Sequence, residues 1–343
     1  MELTPFGVDA VREALRDRAV TSVEVVDMLA SETATAARLE VRFADDRGPL
    51  RLIGKHAAGA GRASVCREHR FYTDLAPRWP HPAPALLGVR DDGAEIVLLT
   101  EDLVAAGYAI VQVDAEAPVP VAPALLEGVV DTLVRLHTAF WDDLPAVLVD
   151  ADPPPSVTRS AQAWPATVIA THAGAALEAA TSFVAAGELT TEDRALLDEV
   201  CAAWEARFLA RAAAGRALTM IHGDFHLLGN VFFAADRPPR VIDWSECKPG
   251  LGPHDLAYCL LSAPSTDRAA RDEALLRRYW HGLVHVGVRD YPWPLCQWDY
   301  QFSLITNLLQ AVLQRSPFWF RKTAAMLDLL GGRAALRQPP PIG

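Results

Sequence analysis

The stretch MIHGDFHLLGNVFF, Met220 to Phe233, sets two histidines, an aspartate and an asparagine between two short apolar runs. A strand that ends in His-x-Asp and resumes just after an Asn holds a carboxylate and an amide oxygen close together in one loop. Further on, RVIDW, Arg240 to Trp244, ends another short strand on Asp243. A hairpin of that length returns Asp243 to the end where Asp224 and Asn230 lie, so three oxygen-bearing side chains are expected to converge.

Convergence of this kind suits phosphoryl transfer, which needs neutralised phosphate charge and an aimed acceptor hydroxyl. The parts are a lysine, one or two Mg²⁺ ligands and a carboxylate near the hydroxyl. Asp224 is the candidate carboxylate. Asn230 and Asp243 offer hard oxygens of the type Mg²⁺ prefers. Lys55 closes the strand pattern LRLIGK, and Glu68 lies in the helical pattern that follows. Thr100, Glu101, Asp102 and Leu103, the run TEDL, follow a strand where backbone groups could meet an adenine edge. His222 and His226 read as loop-bracing hydrogen-bond partners, and His137, in RLHTAFW, as a satisfied core histidine.

Working outward, VEVVDMLA, TAARLEVRF and LRLIGK are β-branched or alternating runs separated by short polar turns, which predicts an antiparallel meander. RASVCREHRFYTDLA has helical spacing, PRWPHPAPALLG reads as a proline-broken loop, and AEIVLLTEDL as a strand. The Pro- and Ala-rich VQVDAEAPVPVAPA marks a boundary near residue 110. Beyond it the chain is mainly helical, with a small hairpin embedded around the HGD loop. The expected organisation is an α+β, bilobal, protein-kinase-like fold. Residues 1–110 would form a nucleotide-binding lobe with the hinge, 111–335 a catalytic and substrate-binding lobe, and 336–343 a flexible tail.

The 343 residues are 51% apolar and 22% charged, the composition of an ordinary globular chain. A net charge of −11 argues against nucleic acid or an anionic membrane as partner. Five scattered cysteines without a CxxC pair predict reduced thiols in the cytoplasm, and no apolar run reaches the ~20 residues of a membrane span. Oligomeric state is left open.

The chain resembles the aminoglycoside phosphotransferase and choline kinase-like enzymes, in the branch related to ecdysteroid kinase-like proteins. The resemblance rests on GKHAA with REHRFYTDLAP, VLLTEDL, LVRLHTAFW, HGDFHLLGN, VIDW, GPHDLAYCL and the late LLRRYWHGLVHVGVRDYPWPLCQWDYQFSLI. It implies ATP or GTP with Mg²⁺, and transfer to a hydroxyl of a small molecule such as an antibiotic, sugar or alcohol. Lys55 would contact the α and β phosphates, Glu68 would hold Lys55, Asp224 would be the base, and Asn230 and Asp243 would bind metal. Asp255 would brace the catalytic loop. Acceptor contacts are expected from residues 155 to 214 and the late helices.

Two departures stand out. Asn230 lies six residues after Asp224, where the family spaces them by five. Gly229 is expected to absorb the extra residue as a bulge, through a backbone conformation closed to other residues. The turn LASETATA contains no glycine, so Ser31, Thr33 or Thr35 hydroxyls and backbone amides would serve the phosphates. A nucleotide-binding pseudokinase scaffold is the competing reading. A dinuclear phosphoesterase is a weaker one, because the remaining metal-binding blocks of that chemistry are missing.

Overall fold

The structure is a computed structural model that describes residues 5–31, 33–79, 83–112, 119–145, 166–213, 215–313 and 315–342, with backbone only at 166–173, 175, 176, 212 and 313. It divides into two compact units, residues 1–111 with 230–246, and residues 112–229 with 247–343. The class is α+β, with an antiparallel five-stranded sheet in the first unit and a helical second unit.

In the first unit, helix α1 (Val8–Leu15) precedes the meander β1 (Val20–Leu29), β2 (Thr35–Phe43) and β3 (Leu50–Ala58). The sheet order is β1-β2-β3-β5-β4, where β4 is Leu86–Asp91 and β5 is Glu95–Glu101. Alternation works as expected: Leu39 and Val41 of β2 and Leu52 of β3 turn to one face. There they pack with Val97 and Leu99 of β5 and with Phe6, Val11 and Ala14 from the α1 segment. Strand β4 corrects the loop reading of PRWPHPAPALLG. Its residues, LLGVRD, contain a glycine and no clean alternation, so only pairing with β5 makes them a strand.

Helix α2 (Arg62–Arg70) is shorter than its helical pattern. A single π turn, Phe71–Leu75, replaces its last part.

The expected single hairpin is in fact two separate pairings. β8 (Val231–Ala234) and β9 (Arg237–Val241) form a hairpin, joined on its other edge by β6 (Ala109–Ile110), and all three belong to the first unit. β9 carries Pro238 and Pro239 and sits at the sheet edge, where missing N–H donors cost least. β7 (Thr219–Ile221) pairs instead with β10 (Lys248–Gly250) in the second unit. These strands of two to five residues have too few side chains to display a period.

The second unit contains α3 (Pro123–Ala139), α4 (Ala166–Ala185), α5 (Thr191–Ala213), α6 (Pro253–Ser262), α7 (Arg268–His285), α8 (Trp293–Leu313), α9 (Pro317–Leu329) and α10 (Gly332–Arg337). Of the expected acceptor insert, residues 155–165 lie outside the described residues. Trp298, Tyr300 and Phe302 of α8 are core residues. A buried ion pair ties α5 to α8: Arg211 donates to Asp299 from Nε at 2.7 Å and from Nη2 at 2.9 Å, and Tyr291 donates to the same carboxylate at 2.9 Å. Removing one partner of such a pair strands a charge away from water. Arg211→Met is therefore expected to lower unfolding free energy by about 3–5 kcal/mol in urea titration.

Candidate active site

In the first unit the chemistry gathers around Lys55, whose position follows from sheet register. Lys55 pairs with Ala36 on one side and Leu98 on the other, so its side chain leaves the face that α2 covers. Its ammonium donates to Glu68 at 2.7 Å and to Asp243 at 3.2 Å. Glu68 is 2% exposed and also accepts the backbone N–H of Trp244. Burial disfavours the ammonium, but the two carboxylates outweigh it and raise the Lys55 pKa.

Asp243 is held in an uncommon conformation. Its φ is +63°, in the left-handed region that β-carbon sterics penalise, and its Oδ1 also accepts from the Ser245 hydroxyl at 3.0 Å. The segment after it is clamped to α2. Phe71 stacks on Trp244 with ring centroids 3.8 Å apart, and Arg67 donates to the Ser245 carbonyl at 2.9 Å. Asn230 is buried, and its carbonyl accepts the Ile242 N–H at 3.0 Å, so Asn230 and Asp243 end adjacent strands. One carboxylate and one amide oxygen are the hard, sparse donor set that fits Mg²⁺ carrying phosphate oxygens and water.

The other expected nucleotide contacts have local partners. Thr33 donates its hydroxyl to Ser64 of α2 at 3.3 Å, and Ser31 accepts from the Ala34 N–H at 3.3 Å. A β-carbon on Gly61 would lie 2.0 Å from the Thr33 carbonyl, so a glycine at the start of α2 is what lets the turn settle there. Thr100 is buried, and Glu101 accepts from Arg240 at 2.8 Å and from the Ala85 N–H at 3.1 Å. Asp102 accepts from Arg38 at 2.8 Å and from the Val104 N–H at 2.9 Å, while the Leu103 carbonyl accepts the Tyr108 N–H at 2.9 Å. A separate hollow of about 430 Å³ in this unit is lined in part by Tyr72, Trp79, Tyr108, Arg237 and Arg240.

The second unit holds the HGD loop. Asp255, fully buried near the start of α6, accepts the N–H groups of His222 at 2.7 Å and Gly223 at 3.0 Å, and pairs with His137 Nε2 at 3.2 Å. His137 Nδ1 meets the Tyr279 hydroxyl at 2.7 Å. His222 Nδ1 accepts the Asp224 N–H at 3.2 Å, and Gln310 of α8 donates to the Gly223 carbonyl at 3.3 Å. The loop before Asp224 is thus anchored on both sides of Gly223, whose φ of +84° no side chain would favour. Burial disfavours the Asp255 carboxylate, but hydrogen bonding and charge from His137 hold its pKa low.

The backbone conformation expected of Gly229 is corrected here. Gly229 does not take a left-handed conformation; Gly223 does. A β-carbon on Gly229 would lie 2.8 Å from His226 Cε1, so the glycine makes room for the imidazole. His226 Nε2 lies 3.9 Å from Asp224 Oδ2. Sequence reasoning missed Tyr279 and Gln310, which no local pattern marks. It placed His137 correctly in the core but gave it no connection to the loop.

The pattern of the phosphotransferase enzyme family, APH, matches residues 34–291. No curated protein matches the chain. Solved structures with a similar fold include an aminoglycoside-3'-phosphotransferase of type VIII, at 19% identity and TM-score 0.51, covering 89% of this chain and 98% of that one. Amicoumacin kinase hAmiN in complex with AMP-PNP, Ca²⁺ and Ami aligns at 14% identity and TM-score 0.53, covering 95% and 90%. Choline kinase LicA from Streptococcus pneumoniae aligns at 12% identity and TM-score 0.51, covering 93% and 94%. Among the described residues no helix is long and apolar enough to cross a membrane.

Next to Asp255, burial keeps the His254 imidazole neutral and pushes its pKa down to about 4. An unfolded imidazole takes its proton near pH 6.5, which the folded one refuses. Stability should therefore be complete above that pH and fall by about 3 kcal/mol as pH drops towards 4. Chemical denaturation of wild type and His254→Leu across this range checks it, the variant showing the shallower slope.

Proposed function

Because the chain belongs to the phosphotransferase enzyme family, we propose that it transfers the γ-phosphoryl group of ATP to a hydroxyl of a small molecule. The observation that carries this reading is the Lys55 ammonium held between buried Glu68 and the strained Asp243. A structural lysine would not need a second carboxylate in a left-handed backbone. A cation and an oxygen ligand fixed side by side suit a triphosphate with its metal. The nucleotide analogue named with amicoumacin kinase supports the same co-substrate.

In this reading Lys55 binds the α and β phosphates and Glu68 keeps it aimed. Asn230 and Asp243 hold Mg²⁺, which when bound neutralises phosphate charge. Asp224 accepts the hydroxyl proton as the acceptor oxygen bonds to the γ-phosphorus and the bond to the β-phosphate oxygen breaks, releasing ADP. His222 and Asp255 keep the loop in the shape that presents Asp224. Thr100 to Leu103 lie beside the adenine, and the turn bearing Ser31 and Thr33 covers the phosphates. Intact Lys55, Asp224 and Asp243 favour this enzyme over a pseudokinase scaffold.

Asp224→Asn should keep nucleotide binding and lose about 10²–10⁴ in kcat, since the carboxylate serves the hydroxyl alone. Coupled ADP release and nucleotide titration measure the two effects, and near-wild-type turnover would refute the role. Lys55→Met should raise KM for ATP and lower kcat together, by at least about tenfold in kcat/KM. Unchanged steady-state ATP kinetics would leave Lys55 a purely structural ion pair.

A further inference from the structure

The second unit carries a run of partly exposed rings leading away from Asp224. The His226 ring lies 6.3 Å from Tyr258 of α6, between centroids, and Tyr258 lies 6.4 Å from Trp319 of α9. The buried His254 ring lies parallel to Tyr258, with centroids 6.4 Å apart. Phe318, 61% exposed, packs edge-on against Trp319. Ser316 caps α9 by accepting the Trp319 N–H at 3.3 Å, so these rings sit on an ordered helix start.

At the end of this run stands Lys322. Its ammonium lies 4.9 Å from the Trp319 ring and 5.6 Å from the Phe318 ring. Among the described residues no carboxylate pairs with it. Burial, and then repulsion from Arg268, lower its pKa, which marks a cation lacking compensation. Arg268 and Arg271 do not relieve it. They donate to carbonyls at the C-terminal end of α6, Leu260 and Ala263, and Arg271 also takes Asp272. Asp272 is itself buried and accepts the Tyr300 hydroxyl at 2.9 Å. Among the described residues, Lys322 thus faces Arg268 and, beyond it, Arg271, whose carboxylate partner Asp272 is already engaged.

Resting on the phosphotransferase reading, we propose that the acceptor carries a flat apolar ring and an anionic group, the ring lying against Tyr258 and Trp319 and the anion meeting Lys322. Such a molecule turns its hydroxyl towards Asp224 and its charge away from it. Polycationic acceptors meet like charge at Lys322 and are disfavoured. Aromatic side chains of this kind supply contact area at little entropy cost, and the ammonium sets the sign of what binds.

A pair of probes with the same phenol ring and two-carbon arm isolates the charge: 3-(4-hydroxyphenyl)propanoate and tyramine. Binding of each to the full chain is measured by calorimetry or ligand-observed NMR, for wild type, Lys322→Met and Lys322→Glu. Wild type should bind the carboxylate at least about tenfold tighter than the amine. Lys322→Met should abolish the preference and Lys322→Glu reverse it. An equal or amine-favouring wild type, a preference that survives both variants, or no binding of either probe overturns the inference. Mg–ATP binding to the same preparations separates the two levels of argument. A missing carboxylate preference with nucleotide binding intact removes the acceptor class alone, whereas missing nucleotide binding removes the phosphotransferase reading beneath it.

Discussion

A carboxylate taken out of water has to be met by donors, and in the first unit that requirement falls on Glu68. Its partner is Lys55 at 2.7 Å, and the consequences run through every neighbouring element. β3 must keep the register that turns Lys55 towards α2, because a one-residue slip would send the ammonium to the opposite face. α2 must present Glu68 at that point, and the π turn after it brings Phe71 onto Trp244. Trp244 is covalently next to Asp243, so the stack that steadies α2 also holds the strained aspartate. Sheet, helix and hairpin end are therefore one mechanical object. Removing the lysine would leave a buried charge costing about 3–5 kcal/mol.

The second unit meets the same constraint differently. Asp255 collects two backbone N–H groups and an imidazole rather than a lysine. Backbone donors cannot swing away as a side chain can, so the geometry of residues 222 and 223 is inherited directly from the start of α6. Gln310 closes the other side by taking the Gly223 carbonyl. Asp224 itself is left half-buried, just beyond the backbone that these contacts fix.

How much of this was legible follows from the range of each interaction. The β1–β2–β3 meander could be read because alternation is local, and Lys55 and Glu68 because a strand followed by a helix brings such positions together. β4 could not be read, since Gly88 breaks its pattern and only β5 completes it. β8 and β9 join the first unit through β6 and through contacts of Asp243 and Trp244 with Lys55 and Phe71, all far away in sequence. Gln310 reaches the loop directly and Tyr279 only through His137 and Asp255, from helices whose own apolar periodicity gives no hint of a polar task. Lys322 was invisible for another reason: its meaning lies in what surrounds it.

The six-residue spacing between Asp224 and Asn230 falls on a segment held by separate local contacts at each end. Both ends of the segment are pinned independently. Asp224 follows residues fixed by Asp255, while Asn230 immediately precedes β8 and its carbonyl is fixed by the Ile242 N–H. Between them, Leu227 donates its N–H to Ser262 at 3.1 Å, tying the middle of the loop to α6. The slack is thereby confined to Leu228 and Gly229, residues of a turn, and His226 folds its ring over the glycine instead of projecting outward. An inserted residue is absorbed where the chain has the fewest obligations, while the left-handed backbone stays at Gly223, which tolerates it, and at Asp243, which is held there by its neighbours.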